Sequence, residues 1–170
     1  PTRLHLGNSL LAQGNLNDAI AEYRHAVALE TDNAVTQYSL AVALTMQGKM
    51  TDAYPHFQEA VRLEPEWPEA LNGLAWILAT HPDVTVRQPK RALDLARKAA
   101  DLTSHQDVTI LDTLASSFAA NGQFDRAVSI AETAHKLATK AADKSLADQI
   151  QQRLELFVQN KPYREVAEEH

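Results

Sequence analysis

Residues 40–60 read LAVALTMQGKMTDAYPHFQEA, and this stretch decides the fold. It opens with a large apolar residue and a small one, passes through Gly48, and continues with Ala53, Phe57 and Ala60. Apolar residues at this spacing are typical of amphipathic helices. A glycine readily takes the left-handed conformation that follows a helix end. The stretch therefore predicts one helix, a tight turn and a second helix.

The same pattern recurs along the chain. The pair of a leucine and a small residue at Leu40 appears 34 residues earlier at Leu6 and 34 residues later at Leu74. It appears again at Leu114, 40 residues after Leu74, and the six extra residues fall mostly between Thr80 and Ala92. A fixed internal period of this length indicates a repeat architecture in which each unit is one helical pair.

A 34-residue helix–turn–helix period with these small and large positions resembles the tetratricopeptide repeat (TPR), over residues 1–142. The resemblance implies an all-α, right-handed superhelical α-solenoid of antiparallel helix pairs. The register divides the chain into four units, at about 1–33, 34–67, 68–106 and 107–142. Residues 71–134 also resemble the end of bacterial TPR arrays, some of which are tails of multi-span membrane proteins similar to glycosyltransferases.

After the fourth unit, an apolar stripe predicts a capping helix over residues 143–159, followed by a tail at 160–170. The stripe consists of Leu146, Ile150, Leu154 and Phe157. Either Asp143, or Ser145 with Asp148 three residues later, opens this helix. The opposite, solvent-exposed side of this helix is expected to hold Gln149, Gln151, Gln152 and Arg153. The last repeat of a solenoid needs a capping element whose outer face is polar.

Two other segments lead to expectations about order and context. Pro82 and Pro89 limit the freedom of the long loop between them, so we expect it to be ordered, whereas the tail after Lys161 should exchange its amides quickly. At the other end, Pro1 falls near the second residue of a repeat with nothing before it to cover the first helix. We therefore expect the native protein to continue upstream, and the uncapped N-terminal repeat could also self-associate.

Composition excludes several classes of function. The chain has 170 residues, a formal net charge of −6 and no cysteine, which rules out disulfides, thiolate metal sites and thiol nucleophiles. Nucleic-acid-binding proteins usually carry a basic stripe, and the basic residues within 87–98 are interrupted by Asp94. No apolar run approaches the roughly 20 residues that span a bilayer. We expect a soluble domain without nucleic acid or direct membrane insertion, in a compartment that the sequence leaves open.

No pattern in the sequence supports catalysis. The seven histidines are scattered, and none forms the i, i+4 pair with an intervening glutamate that zinc peptidases use. Gly7 and Gly14 fit helix packing and a turn, so no glycine loop is available to hold a phosphate. A glycine–serine–glycine nucleophile elbow is also absent. The sequence therefore predicts no enzyme, no cofactor and no metal site.

The resemblance implies that the first helix of each unit lines a concave groove. The expected groove residues are Leu4, Asn8, Leu11, Tyr38, Val42, Thr45, Asn72, Trp76, Asp112 and Ser116. Its centre is expected near Trp76, flanked by Tyr38, Asn72 and Asp112, since large aromatics with a polar group are frequent binding hot spots. The alternative is that Trp76 only shields the shoulder of its own unit, and that the asparagines are merely solvated.

One TPR subclass grips terminal carboxylates with lysine, arginine and asparagine. Of that pattern only Asn8 matches, and Glu69 and Asp112 in a groove without lysine should repel a carboxylate. The other clamp places are occupied by Leu4, Ser39, Glu69 and Gly73. The sequence thus predicts a scaffold that binds a peptide or helix of a protein partner in its groove. The alternative is a structural or oligomerising C-terminal tail of a larger, membrane-bound, glycosyltransferase-like protein.

Overall fold

A computed structural model describes residues 2–166, with only the backbone of Thr2, and all regular structure in that range is α-helical. The nine helices are α1 (Thr2–Ala12), α2 (Leu16–Leu29), α3 (Ala34–Met46), α4 (Met50–Leu63), α5 (Pro68–Thr80), α6 (Pro89–Leu102), α7 (Val108–Ala120), α8 (Phe124–Lys140) and α9 (Lys144–Val158). The predicted all-α fold of four helix pairs and a final helix is confirmed. The chain divides into two compact units, with the boundary inside α5 between Ala70 and Leu71.

In the first unit, α1 packs on α2, α2 on α3, and α3 on α4. Tyr23 and Phe57 fill the space beside small residues and are almost completely buried. A Cβ atom at Gly7 would lie 2.5 Å from a ring carbon of Tyr23, so only glycine allows α1 to approach this ring. Gly48 has a φ of +83°, the left-handed conformation expected of the turn glycine.

In the second unit, α6 packs on α7, α7 on α8, and α8 on α9, which also touches α7. The buried face of α8 is a stripe of alanines, which lets the neighbouring helices approach closely. On α9, Ile150 and Phe157 are completely buried. Of the two expected openings of α9, the structure uses Asp143, whose side chain accepts a hydrogen bond from the Leu146 backbone N–H at 3.0 Å.

The long loop between α5 and α6 is tied to its own backbone. The Arg87 guanidinium donates to the carbonyl oxygens of His81 and Pro82 at 2.8 and 2.7 Å. The Asp83 carboxylate accepts from the backbone N–H and the hydroxyl of Thr85, both at 2.8 Å. These bonds agree with the ordered loop that the two flanking prolines predict.

Across residues 2–166, none of the helices is both long enough and apolar enough to cross a membrane.

Candidate functional site

Trp76 of α5 is the centre of a cluster in the second unit. Its side chain is half-buried, and residues 161–166, which follow α9 without regular secondary structure, run across it. The rings of Trp76 and Tyr163 have centroids 5.7 Å apart and are tilted by 38°. The indole N–H of Trp76 donates to Glu165 Oε1 at 3.1 Å. Both the apolar face and the polar edge of the tryptophan are therefore engaged by the same short segment.

The segment also bonds to the backbone at the end of α5. The Glu165 N–H donates to the carbonyl oxygen of Thr80 at 2.9 Å. The Arg164 guanidinium donates to the carbonyl oxygen of Ala79 at 3.0 Å. The last carbonyls of a helix lack intrahelical partners, and the negative end of the helix dipole favours a cation. The C-terminal end of α5 is thus a ready acceptor for an extended chain that carries an arginine.

This arrangement differs from the expectation that the chain after Lys161 is a free tail. Residues 162–165 are half-buried and make specific bonds, while residues 167–170 of the expected tail lie outside the described range. Burial raises the pKa of the Tyr163 hydroxyl, and the neighbouring Glu165 raises it further. This contact could not be predicted from the sequence, because a tripeptide of Tyr, Arg and Glu has no periodicity that could reveal its partner.

A buried ion pair packs against the Trp76 ring. The Arg153 guanidinium of α9 makes two hydrogen bonds with the Asp112 carboxylate of α7, at 2.9 and 2.6 Å. Only 8% of the arginine side chain and 6% of the aspartate side chain are exposed. The guanidinium carbon lies 5.3 Å from the centroid of the Trp76 ring and 5.4 Å from that of Tyr163. Arg153 therefore joins α7, α5 and the C-terminal segment in one contact set.

The prediction that Arg153 lies on the wet side of the capping helix is wrong. It lies three residues after Ile150 and four before Phe157, so the three side chains share one helix face. Polarity had suggested the opposite face, whereas the spacing alone indicates the buried one. Arginine tolerates this position because a bidentate carboxylate satisfies it.

Asp112 is consequently not an open carboxylate that repels anions. Burial raises its pKa, and the charge of Arg153 and its hydrogen bonds act in the opposite direction. Its charge is paired with the charge of Arg153 inside the same cluster that Glu165 contacts through Trp76.

Two other expected groove residues of this unit hold unsatisfied atoms. Asn72 Oδ1 and Ser116 Oγ, together with Ser117 Oγ, are buried side-chain atoms without a hydrogen-bond partner within the described chain. Buried polar groups are normally paired, but these atoms are shielded from solvent, so an incoming group would reach them only after the surrounding side chains move. The assignment of Asn72 and Ser116 to a binding groove stays a prediction.

The expected groove residues of the first unit are placed differently. Tyr38 packs against Trp67, with ring centroids 4.5 Å apart, and meets the edge of Phe57 at 5.9 Å. Asn8 is exposed and accepts a hydrogen bond from the Tyr23 hydroxyl at 2.8 Å. The hydroxyl of Thr45 donates to the carbonyl oxygen of its own helix, at Ala41.

The apolar residues expected in the groove of the first unit are only partly buried. Leu11 and Val42 are half-buried, and Leu4 lines a hollow of about 400 Å³ together with Ala26 and Thr36. The structure thus joins Trp76 and Asp112 through Arg153. The convergence of Tyr38, in the other unit, on the same patch stays a prediction.

No group of three or more histidine, aspartate or glutamate side chains in residues 2–166 could hold a metal ion.

Comparisons with known proteins agree with the helical-repeat fold. The family model described as TPR repeat matches residues 7–48. No curated protein sequence matches the chain. Solved structures that resemble it include MamA, at 17% identity and a TM-score of 0.65, covering 94% of this chain and 90% of that one. YrrB, a TPR protein with an unusual peptide-binding site, is 20% identical with a TM-score of 0.66, covering 92% of this chain and 89% of YrrB.

A third structure is PilF from Pseudomonas aeruginosa, at 17% identity and a TM-score of 0.62, covering 96% of this chain and 77% of PilF. At these identities the likeness establishes the fold. The class is therefore an all-helical repeat protein with an aromatic cluster in its second unit. The resemblance to the tetratricopeptide-repeat family, expected from the 34-residue register, is confirmed.

Proposed function

We propose that this chain is a protein-interaction scaffold whose second unit binds an extended peptide segment of a protein partner over Trp76. The observation that carries the proposal is the occupation of this surface by residues 163–165, which have no regular secondary structure. A surface that meets one such segment with a tilted ring contact, an indole hydrogen bond and a backbone hydrogen bond has the chemistry to meet another.

The properties of Trp76 support a role as an anchor. Tryptophan provides a large apolar area at low entropic cost and one directed donor, and it is enriched in binding hot spots. The buried pair of Arg153 and Asp112 holds the side chains that pack against Trp76 in place. A rigid site lowers the entropy lost on binding. The guanidinium beside the ring also favours an aromatic side chain in the ligand.

A structural neighbour points in the same direction. YrrB is described as a TPR protein with an unusual peptide-binding site. The shared fold supports peptide binding as the function of this chain, and the cluster around Trp76 supports a location for it. The partner class that we propose is a protein or peptide, and the acidic net charge of −6 argues against nucleic acid.

The test is a selection from a display library of random dodecapeptides on the full chain, followed by affinity measurements on Trp76→Ala. We expect the selected peptides to lose affinity by roughly 30-fold, the value for an aromatic anchor worth about 2 kcal/mol. The substitution also removes the ring contact with Tyr163 and the indole bond to Glu165, so we expect a lower melting temperature and compare affinities at a temperature where both proteins are folded.

The matched control is Val84→Ala, which removes an apolar side chain of the second unit that is 68% exposed. It should leave peptide affinity unchanged. The proposal fails if selected peptides bind Trp76→Ala as tightly as the unaltered chain. Lost stability with intact affinity would assign Trp76 to shielding its own unit.

A further inference from the structure

The connection between α9 and the segment that covers Trp76 is a fixed helix cap. Asn160 has a φ of +56°, and the N–H of Lys161 donates to the carbonyl oxygen of Leu156 at 2.9 Å. A left-handed residue with this bond reverses the chain direction after a helix. Only Gln159 and Asn160 separate the end of α9 from the segment, which is therefore directed back onto its own unit.

Recognition within the segment is concentrated at three consecutive positions. The Tyr163 ring lies tilted against the indole, Arg164 bonds to the end of α5, and Glu165 makes both the indole bond and the backbone bond. The flanking side chains do not share this role, because Lys161 is exposed and Val166 is 86% exposed. The contacts thus follow a pattern of aromatic, cation and carboxylate along an extended chain.

We propose that residues 161–166 are an intramolecular ligand of the Trp76 site, and that the partner segment displaces them because it carries the same pattern: an aromatic, then an arginine, then a carboxylate. This inference rests on the proposed function, since it specifies the ligand of the same site. The site selects the aromatic through Trp76 and Arg153. It selects the arginine through the open carbonyls of α5, and the carboxylate through the indole N–H.

Attachment to α9 gives the chain's own segment an advantage over a free peptide. A short connection holds a ligand at an effective concentration in the millimolar range. If the segment itself has a Kd of about 100 µM for the open site, an effective concentration of about 1 mM weakens any competing peptide about 10-fold. A natural partner must bind the open site tightly enough to overcome this loss of affinity. The segment therefore sets a lower limit on the affinity of partners.

The probe is a synthetic peptide with the sequence of residues 160–166, NKPYREV, acetylated and amidated at its ends. The chain has two tryptophans, so Trp67→Phe leaves Trp76 as the single tryptophan reporter. In that background, Tyr163→Ala with Glu165→Ala removes the ring contact and the indole bond and so releases the segment while the full chain is retained. The matched control, Lys161→Ala with Val166→Ala, changes the same segment at its exposed positions.

We expect the peptide to bind the released variant and to change the emission of Trp76. Binding to the control variant and to the parent should be about 10-fold weaker. A peptide with alanine in place of its tyrosine should not bind. Equal affinity for released and parent chains, or no binding to the released variant, would overturn the inference.

A second measurement uses the unaltered chain and does not depend on the folding of any variant. The N–H of Glu165 should exchange slowly with solvent, because it is bonded to Thr80, and it should exchange faster when a peptide from the display selection is added at saturation. Exchange at the rate of an open peptide in the free chain would contradict the inference.

The two proposals fail in distinguishable ways. If display peptides bind in a Trp76-dependent manner but NKPYREV does not bind the released variant, the proposed function stands and the intramolecular ligand is wrong. If no peptide binds either variant through Trp76 while the Glu165 N–H is protected, the segment is a structural strap and the proposed function is wrong.

Discussion

Tyr38 in the first unit and Asp112 in the second occupy the same place in the repeat register, yet they end in opposite environments. Tyr38 is covered by aromatic rings of its own unit, chiefly Trp67. Asp112 is covered by Arg153 of the capping helix α9. The Trp76 ring beside this pair is covered by Tyr163 and Glu165, which follow α9. The register therefore determines which way a side chain faces, and the chain that returns to it determines what it meets.

The difference has an energetic consequence. An aromatic contact such as that of Tyr38 and Trp67 has no strict partner, because another apolar side chain can replace either ring at modest cost. The buried pair of Asp112 and Arg153 is different, because the loss of either partner leaves an uncompensated charge. The second unit should therefore be far more sensitive to single changes in its site.

The largest effect should come from deleting α9, the helix that supplies Arg153. A chain that ends before Lys144 loses Ile150 and Phe157, both completely buried, from the second unit. At about 1.5–3 kcal/mol each, these two side chains alone account for roughly 3–6 kcal/mol. The truncation also leaves Asp112 without Arg153, so we expect a loss above this range in the free energy of unfolding, or aggregation. Chemical denaturation measures it, and a chain that ends at Asn160 is the control. A truncated chain that melts with the parent would show that α9 is not a cap.

The next effect concerns the ion pair itself. Arg153→Met should destabilise the chain by about 3–5 kcal/mol, because it leaves the Asp112 carboxylate buried and alone. The double variant Asp112→Leu with Arg153→Met should recover much of this loss, since apolar side chains of similar size can replace a buried pair.

Denaturant titration of the unaltered chain, of Asp112→Leu, of Arg153→Met and of the double variant gives the coupling energy. In the first unit, Arg62→Met removes an exposed pair with Glu59 and should have no measurable effect. A loss at Arg62 equal to that at Arg153 would remove the proposed contrast between the two units.

The smallest effect is a pH dependence expected in the first unit. Burial lowers the pKa of His56, nearby Arg24 lowers it further, and Asp52 partly opposes them. A lowered folded-state pKa means that the unfolded chain binds the proton more readily. Stability should therefore be complete above the unfolded pKa of about 6.5 and should decrease as the pH falls below it.

The measurement is the free energy of unfolding of the unaltered chain and of His56→Gln across this range. The variant should show a flatter acid limb, whereas His25→Gln, at an exposed histidine of the same unit, should behave like the parent. An unchanged acid limb in His56→Gln would assign the pH dependence to other groups.

The helical pairs, their turns and the final helix could be predicted from the sequence because they depend on local spacing. Gly48 ends a helix through its own backbone freedom, and Ile150 and Phe157 indicate a buried face through their separation along one helix. Such features need only near neighbours in the chain. The same local information predicts that Trp76 lies outside the helix-pair core.

The environment of Trp76 was decided by tertiary structure alone. Its contacts come from Arg153 and from Tyr163 and Glu165, which are 77 to 89 residues away in the chain. No periodicity links positions so far apart, since the segment that carries Tyr163 has no helical register of its own. The charge of Asp112 likewise gave no sign of its partner. The sequence determined the faces of the helices, and long-range packing determined which of them the chain itself covers.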